Sequence, residues 1–211
     1  MFAVVSPQKI HLPPGSVLKL PGDWNEYKSL CERLADRSSP RIKYRPGEIL
    51  LMAPLPEHGR KVSLIADVVK VLLDFLGKEY ESFTPITMEL PSLSGVEPDY
   101  CFYIDNWETI AGKDRIDWST EPPPDLAIEI DVTSYTDIND YLPCRLPEVW
   151  LFKKNQLKIY NLENEQYLEK KSSRYFPDME VIEIVNESLQ IAYSRNTSAA
   201  IRELKRKLNS Q

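Results

Sequence analysis

Apolar positions recur at helical spacing most clearly over residues 58–76. There Val62, Ile65, Ala66, Val69, Leu72, Leu73 and Leu76 follow an i, i+3, i+4, i+7 pattern. Leu64, Val68, Val71 and Phe75 fall on other faces, so this helix is expected to pack on more than one side, with Gly77 ending it. A shorter helix is predicted over residues 24–36, capped by Asp23, with Tyr27, Leu30, Cys31 and Leu34 on one face. Residues 41–44 and 48–52 flank Arg45-Pro46-Gly47 and read as a hairpin. Strand-like runs follow at 82–90, 96–104, 126–133, 148–153, 157–161 and 167–171, and helices at 181–193 and 199–208. Residues 6–22 are proline-rich and lack a period, which predicts an extended arm. The order of elements predicts an α/β or α+β protein with one mixed sheet.

Composition agrees with a packed core. Of 211 residues, 42% are hydrophobic and 27% charged, so disorder is not expected. No apolar run reaches the ~18 residues a membrane span needs. The start, Met1-Phe2-Ala3-Val4-Val5-Ser6-Pro7, lacks the basic and apolar regions of a signal peptide. Cys31, Cys101 and Cys144 are odd in number and widely separated, which suits neither a disulfide framework nor a zinc motif and points to a reducing cytoplasm.

The net charge of −6 argues against a protein that coats nucleic acid by phosphate neutralisation alone. Its distribution is more informative. Residues 97–140 hold 12 acids against Lys113 and Arg115, a segment charge of −10, while the remainder carries +4. Five basic residues lie between Arg195 and Lys207, most simply read as a solvated helix face.

Two runs stand out chemically. In Glu97-Pro98-Asp99, Asp99 opens an apolar strand just after a proline. In residues 125–133, a two-residue period turns Leu126, Ile128, Ile130 and Val132 one way, and Ala127, Glu129 and Asp131 the other. Ionised Glu129 beside Asp131 in a central strand requires a cation or strong donors. A divalent metal would satisfy that need; an edge strand with one wet face would do so as well.

These runs resemble the PD-(D/E)xK nuclease core. The wider layout is similar to the Uma-type family of putative restriction endonucleases, abundant in cyanobacteria. The resemblance rests on residues 46–54, Glu57-His58-Gly59, Glu97-Pro98-Asp99, residues 124–134 and Pro147-Glu148-Val149-Trp150, in the family's order. It implies a restriction-endonuclease-like fold, a mixed central sheet flanked by helices, over residues 23–193. An N-terminal arm (1–22) would precede it and a basic helix (194–211) follow. It implies a cytoplasmic Mg²⁺- or Mn²⁺-dependent endodeoxyribonuclease, a hydrolase acting on ester bonds of nucleic acid, with a homodimer among the assemblies such folds form. Asp99 and Glu129 would bind the metal, and Glu48, His58 and Asp131 would join them at the catalytic site. Water would attack the phosphodiester in line while the cation stabilises charge on the phosphate.

One departure from the pattern matters. The Lys expected two residues after Glu129 is Asp131. The missing cation could come from Lys153, Lys61 or Arg60; Asp131 could be a third metal ligand; or catalysis could be impaired and the fold retained for binding or assembly.

Overall fold

The Glu26 amide donates to the Asp23 carboxylate and the Asp23 amide to the Glu26 carboxylate, each at 2.9 Å. This reciprocal cap starts helix α1 (Trp24–Leu34). The computed structural model describes residues 12–34, 40–131 and 136–210, so the predicted end of α1 at residue 36 and of the strand at Val132 and Thr133 lie outside the described residues. Helix α2 (Pro56–Phe75) begins with a proline in its first turn and is followed by Gly77 at φ 63°.

The strands form two sheets rather than the single sheet expected. The first contains β1 (Val17–Pro21), β2 (Arg41–Arg45), β3 (Glu48–Met52), β5 (Met88–Leu90) and β6 (Ser94–Val96), all antiparallel, in the order β1-β3-β2-β6-β5. The described part of the expected arm thus includes an edge strand, β1. The second contains β4 (Glu81–Phe83), β7 (Tyr100–Tyr103), β8 (Leu126–Asp131), β9 (Glu148–Lys153), β10 (Gln156–Glu163) and β11 (Gln166–Lys170). Its order is β11-β10-β9-β8-β7-β4, and only β8 and β9 run parallel. The fold is α+β.

Two predicted runs are each broken by a proline. Run 82–90 is interrupted around Pro85 and yields β4 and β5. Run 96–104 is interrupted at Pro98, which has no N–H to give a ladder. In both cases the chain changes sheets, so Glu97-Pro98-Asp99 is a crossing between sheets and not the middle of a strand.

Among the described residues the long α-helices cover one face of the mixed sheet. Leu126, Ile128, Ile130, Trp150 and Phe152 share a core with α2, α4 (Val181–Ser194) and α5 (Thr197–Leu208). The other face carries Cys101, Ala127 and Val149. It packs on Tyr141 and Cys144 of a 3₁₀ helix (Ile138–Cys144) and on Met88 and Val96 of the first sheet. That first sheet buries Tyr44, Ile49 and Leu51 against α1. The three cysteines are free, and burial pushes the Cys101 and Cys144 thiols up to about 12, unsuited to nucleophilic work near neutrality. Among the described residues no helix is long and apolar enough to cross a membrane.

Gly95 pairs with Tyr44 and lies beneath the Tyr27 ring. A Cβ at Gly95 would meet the Tyr27 Cζ and hydroxyl at 2.7 Å. Tyr27 is fully buried, so the ring has little room to retreat. Gly95→Ala is expected to lower unfolding free energy by about 1–3 kcal/mol in a denaturant titration.

Candidate functional site

The face of the mixed sheet turned towards the first sheet carries the unusual charges. Alternation in β8 puts Ala127, Glu129 and Asp131 on that face, and one step beyond the Tyr100–Ile128 pair Asp99 arrives beside Glu129. Lys153 stands opposite Asp131 in the parallel β8–β9 register. From the first sheet, β2 turns Ile42 and Tyr44 to the α1 core and Arg41 and Lys43 the other way, towards these acids.

Asp99 Oδ2 accepts from the Ile130 amide at 2.7 Å and lies 3.0 Å from His58 Nε2, while Oδ1 accepts from the Arg41 guanidinium. Glu129 Oε1 accepts from the Lys43 ammonium and from the Thr136 hydroxyl at 3.0 Å; Oε2 accepts from the Tyr141 hydroxyl at 2.6 Å. Asp131 Oδ2 accepts from the Thr136 amide at 2.8 Å and pairs with Lys153 Nζ at 3.0 Å. Asp99 is 2% exposed, and Glu129, Asp131 and Lys43 are each 4% exposed, so compensation must come from within the protein.

The electrostatics follow from that arrangement. Burial pushes the Asp99 carboxyl up, but His58, Arg41 and the Ile130 amide together hold it below the ordinary aspartate value. Burial likewise disfavours the Lys43 ammonium, and the Glu129 carboxylate outweighs it, leaving Lys43 above the ordinary lysine value. Tyr141 is pushed well up by burial and then by Glu129, so its hydroxyl stays protonated and donates.

Two other buried acids have a different setting. Asp125 accepts from the amides of Ile104, Asp105 and Asn106 and tethers that turn. Glu148 accepts from Trp150 Nε1, the Ser173 hydroxyl and the Arg174 amide, and burial pushes its carboxyl up. Their donors are mainly neutral groups that hold the chain together.

Asp99, Glu129, Asp131 and His58 line one cavity, together with Arg41, Lys43 and Glu97. Glu48 does not line it. It is part-exposed on β3 and pairs with Lys19 at 3.4 Å and Arg45 at 3.6 Å, because its place at the hairpin end points it to the cations beside it. Of the three expected cations, Lys153 reaches the acidic face. Lys61 pairs instead with Glu57 at 2.7 Å, and Arg60 is exposed on α2. Sequence reasoning missed Arg41 and Lys43. The alternation Arg41-Ile42-Lys43-Tyr44-Arg45 was the available signal, since β2 borders the wholly buried Ile49-Leu50-Leu51 segment of β3 and both its faces had to be covered.

The cavity offers about 30 Å³ to the centres of water molecules, room for roughly two waters. That is room for an ion with little of its water shell and not for a nucleotide, so a polymeric substrate would have to stay at the mouth. Among the described residues no group of three or more His, Cys, Asp or Glu side chains is placed to hold a metal ion. Asp99 and Glu129 nevertheless supply hard oxygen donors facing one cavity, and Mg²⁺ commonly takes one or two carboxylates and completes its shell with water. The donor set fits such an ion by its chemistry, but all four carboxylate oxygens already accept from protein groups, Arg41 and Lys43 among them.

A family model described as Uma2, putative restriction endonuclease, matches residues 24–194. The crystal structure of a putative nuclease from Anabaena variabilis is similar to this fold with a TM-score of 0.51 and 16% identity, covering 76% of this chain and 96% of that one. At that identity the likeness concerns the fold. Comparison with curated proteins found no match.

Lys43→Met leaves Glu129 buried without its cation and is expected to cost about 3–5 kcal/mol in chemical denaturation. Adding Glu129→Gln should recover much of that loss, and a double-mutant cycle measures the coupling. Asp99, held below its ordinary pKa, contributes stability that is fully present above about pH 4 and is lost as pH falls through its folded value. Stability measured against pH should therefore fall less steeply on the acid side in Asp99→Asn than in the wild type.

Proposed function

The chain belongs to the Uma2 family of putative restriction endonucleases, and on that footing we propose that it is a Mg²⁺- or Mn²⁺-dependent endonuclease hydrolysing phosphodiester bonds of DNA. The observation that carries the reading is the meeting of Asp99, Glu129 and Lys43 on one cavity. With Asp131 where the pattern has Lys, the cation arrives from β2 of another sheet and touches the same glutamate. Lys43 thereby takes, in this reading, the part of the lysine that the PD-(D/E)xK pattern has two residues after Glu129.

In this reading Asp99 and Glu129 hold the divalent ion. When bound, it would polarise the scissile phosphate and acidify an attacking water. The protein's own groups do the rest. Lys43, which lies beside Glu129 and the Tyr141 ring, supplies positive charge where negative charge develops on phosphorus-bound oxygens once it yields its Glu129 oxygen to the metal. Tyr141 keeps Glu129 oriented through Oε2. Arg41 and His58 reach the cavity from the Asp99 side, suited to a non-bridging phosphate oxygen at the mouth. Lys153 neutralises Asp131, so the third acid does not repel the substrate. Water adds to phosphorus in line, the bond to the leaving sugar oxygen breaks, and the products are a phosphomonoester and a free hydroxyl.

A second reading, a nuclease fold working through assembly or partner binding, draws on one observation. Both acids are already ion-paired by Arg41 and Lys43, which must yield if a metal is to enter. Cleavage of plasmid and oligonucleotide DNA, with RNA in parallel, separates the two. Mg²⁺- or Mn²⁺-dependent cutting is expected, reduced about 10²-fold or more in Asp99→Ala, Glu129→Ala and Lys43→Met. Cutting that persists in Asp99→Ala would remove this site from the reaction. A wild type that binds the metal calorimetrically yet cuts nothing would favour the second reading.

A further inference from the structure

A groove of about 690 Å³ opens beside the cavity and shares Thr136 with it. It spans both sheets. Lys19 of β1 and Arg45 of β2 form one wall, and Lys153, Lys154 and Lys158 of the β9–β10 hairpin the other. Among the described residues Asp137 is the one acid lining it, in a protein whose net charge is −6. Four carboxylates that pair with these cations, Glu48, Asp131, Asp140 and Glu169, are not part of the groove's lining. Positive ends are thus gathered along one channel that runs up to the candidate site.

The hairpin tip adds an independent observation. Lys154 and Asn155 have φ of 52° and 59°, the left-handed region that a two-residue type I′ turn requires at both positions. Asn or Gly is favoured at the first of these, whereas a lysine there carries backbone strain. The exposed Lys154 is held where its charge joins the groove, at some cost to the turn.

A second cleft beside Asp99 is different in kind. It shares Arg41, His58 and Asp99 with the cavity and adds Asp67 and Lys70 among Val62, Ala66, Pro85 and Tyr100, so it carries fewer lysines and arginines than the groove.

We propose that the groove between β1–β2 and the β9–β10 hairpin binds the sugar-phosphate backbone of the nucleic acid flanking the scissile phosphate. This deepens the nuclease reading and rests on it. Five cations along a channel match the repeated charge of a phosphate backbone, and Lys153, at its inner end, lies against Asp131 at the cavity. The small volume of the cavity itself fits the same division of labour, with chemistry inside and the polymer held outside.

The test is nucleic-acid affinity as a function of salt, by fluorescence anisotropy in Ca²⁺ to suppress cutting, for the wild type and for Lys154→Asn/Lys158→Gln. Lys154→Asn suits the turn, so the double variant should melt no lower than the wild type. The expected result is weaker binding irrespective of sequence, with the slope of log affinity against log salt shallower by roughly two. Arg202→Gln/Lys205→Gln on α5, which removes the same charge away from the groove, should leave that slope within about half a unit. Equal slopes for wild type and the groove variant, or equal losses in both double variants, would overturn the proposal. Hydrolysis of bis(p-nitrophenyl) phosphate by the wild type reports on the nuclease reading separately. A wild type that hydrolyses this small diester but binds no polymer overturns the groove alone. One that binds with the expected slopes but hydrolyses no diester keeps the groove and removes the nuclease reading.

Discussion

Glu129 sits in the central part of a six-stranded sheet, and its charge there depends on Lys43 reaching it from a different sheet. Neither group is tolerable alone at 4% exposure, because desolvation penalises both a lone carboxylate and a lone ammonium by several kcal/mol. Docking the two sheets is therefore more than apolar packing. Apolar residues close much of the interface, but its centre is an electrostatic lock in which Arg41 and Lys43 of β2 meet Asp99 and Glu129. The placing of β2 and the integrity of the candidate site are one physical requirement.

That lock also explains how an acidic segment can belong to the proposed phosphate-handling site. The −10 charge of residues 97–140 divides into acids with different roles. Asp125 and Glu148, the latter just beyond the segment, hold turns and strand ends through neutral donors. Asp117 and Glu121 order an exposed loop. Asp99, Glu129 and Asp131 bring buried negative charge against Arg41, Lys43 and Lys153, and Asp140 pairs with Arg45. A sum over sequence merges these roles, whereas the field a substrate meets is set by which partners stand beside each acid.

The Glu97-Pro98-Asp99 crossing is the geometric counterpart. Pro98 cannot complete a ladder, so the chain leaves one sheet and enters the other, and the aspartate that follows is delivered to the junction. The Ile130 amide then fixes its carboxylate next to β8. The same proline that makes the motif recognisable in sequence is what puts its acid at the interface.

Periodicity alone located α2, the β2–β3 hairpin, β8, β9 and the last two helices, because each has a face whose apolar spacing matches its own geometry. It also put Glu129 and Asp131 on one face of β8, a direct consequence of the two-residue repeat, and the ordered motifs pointed to Asp99 and His58. It could not show that the 82–90 and 96–104 runs each divide between two sheets, since a proline break looks the same whether the next strand joins the old sheet or a new one. Nor could it show that Glu48 turns away from the cavity or that the missing cation is Lys43. That residue is separated from Glu129 by 86 positions and meets it through inter-sheet packing, a long-range event without a local period. Sequence, by itself, determined that Glu129 and Asp131 share one face of their strand; tertiary structure decided that they are buried and which cations answer them, because charge compensation in a core depends on distance in space.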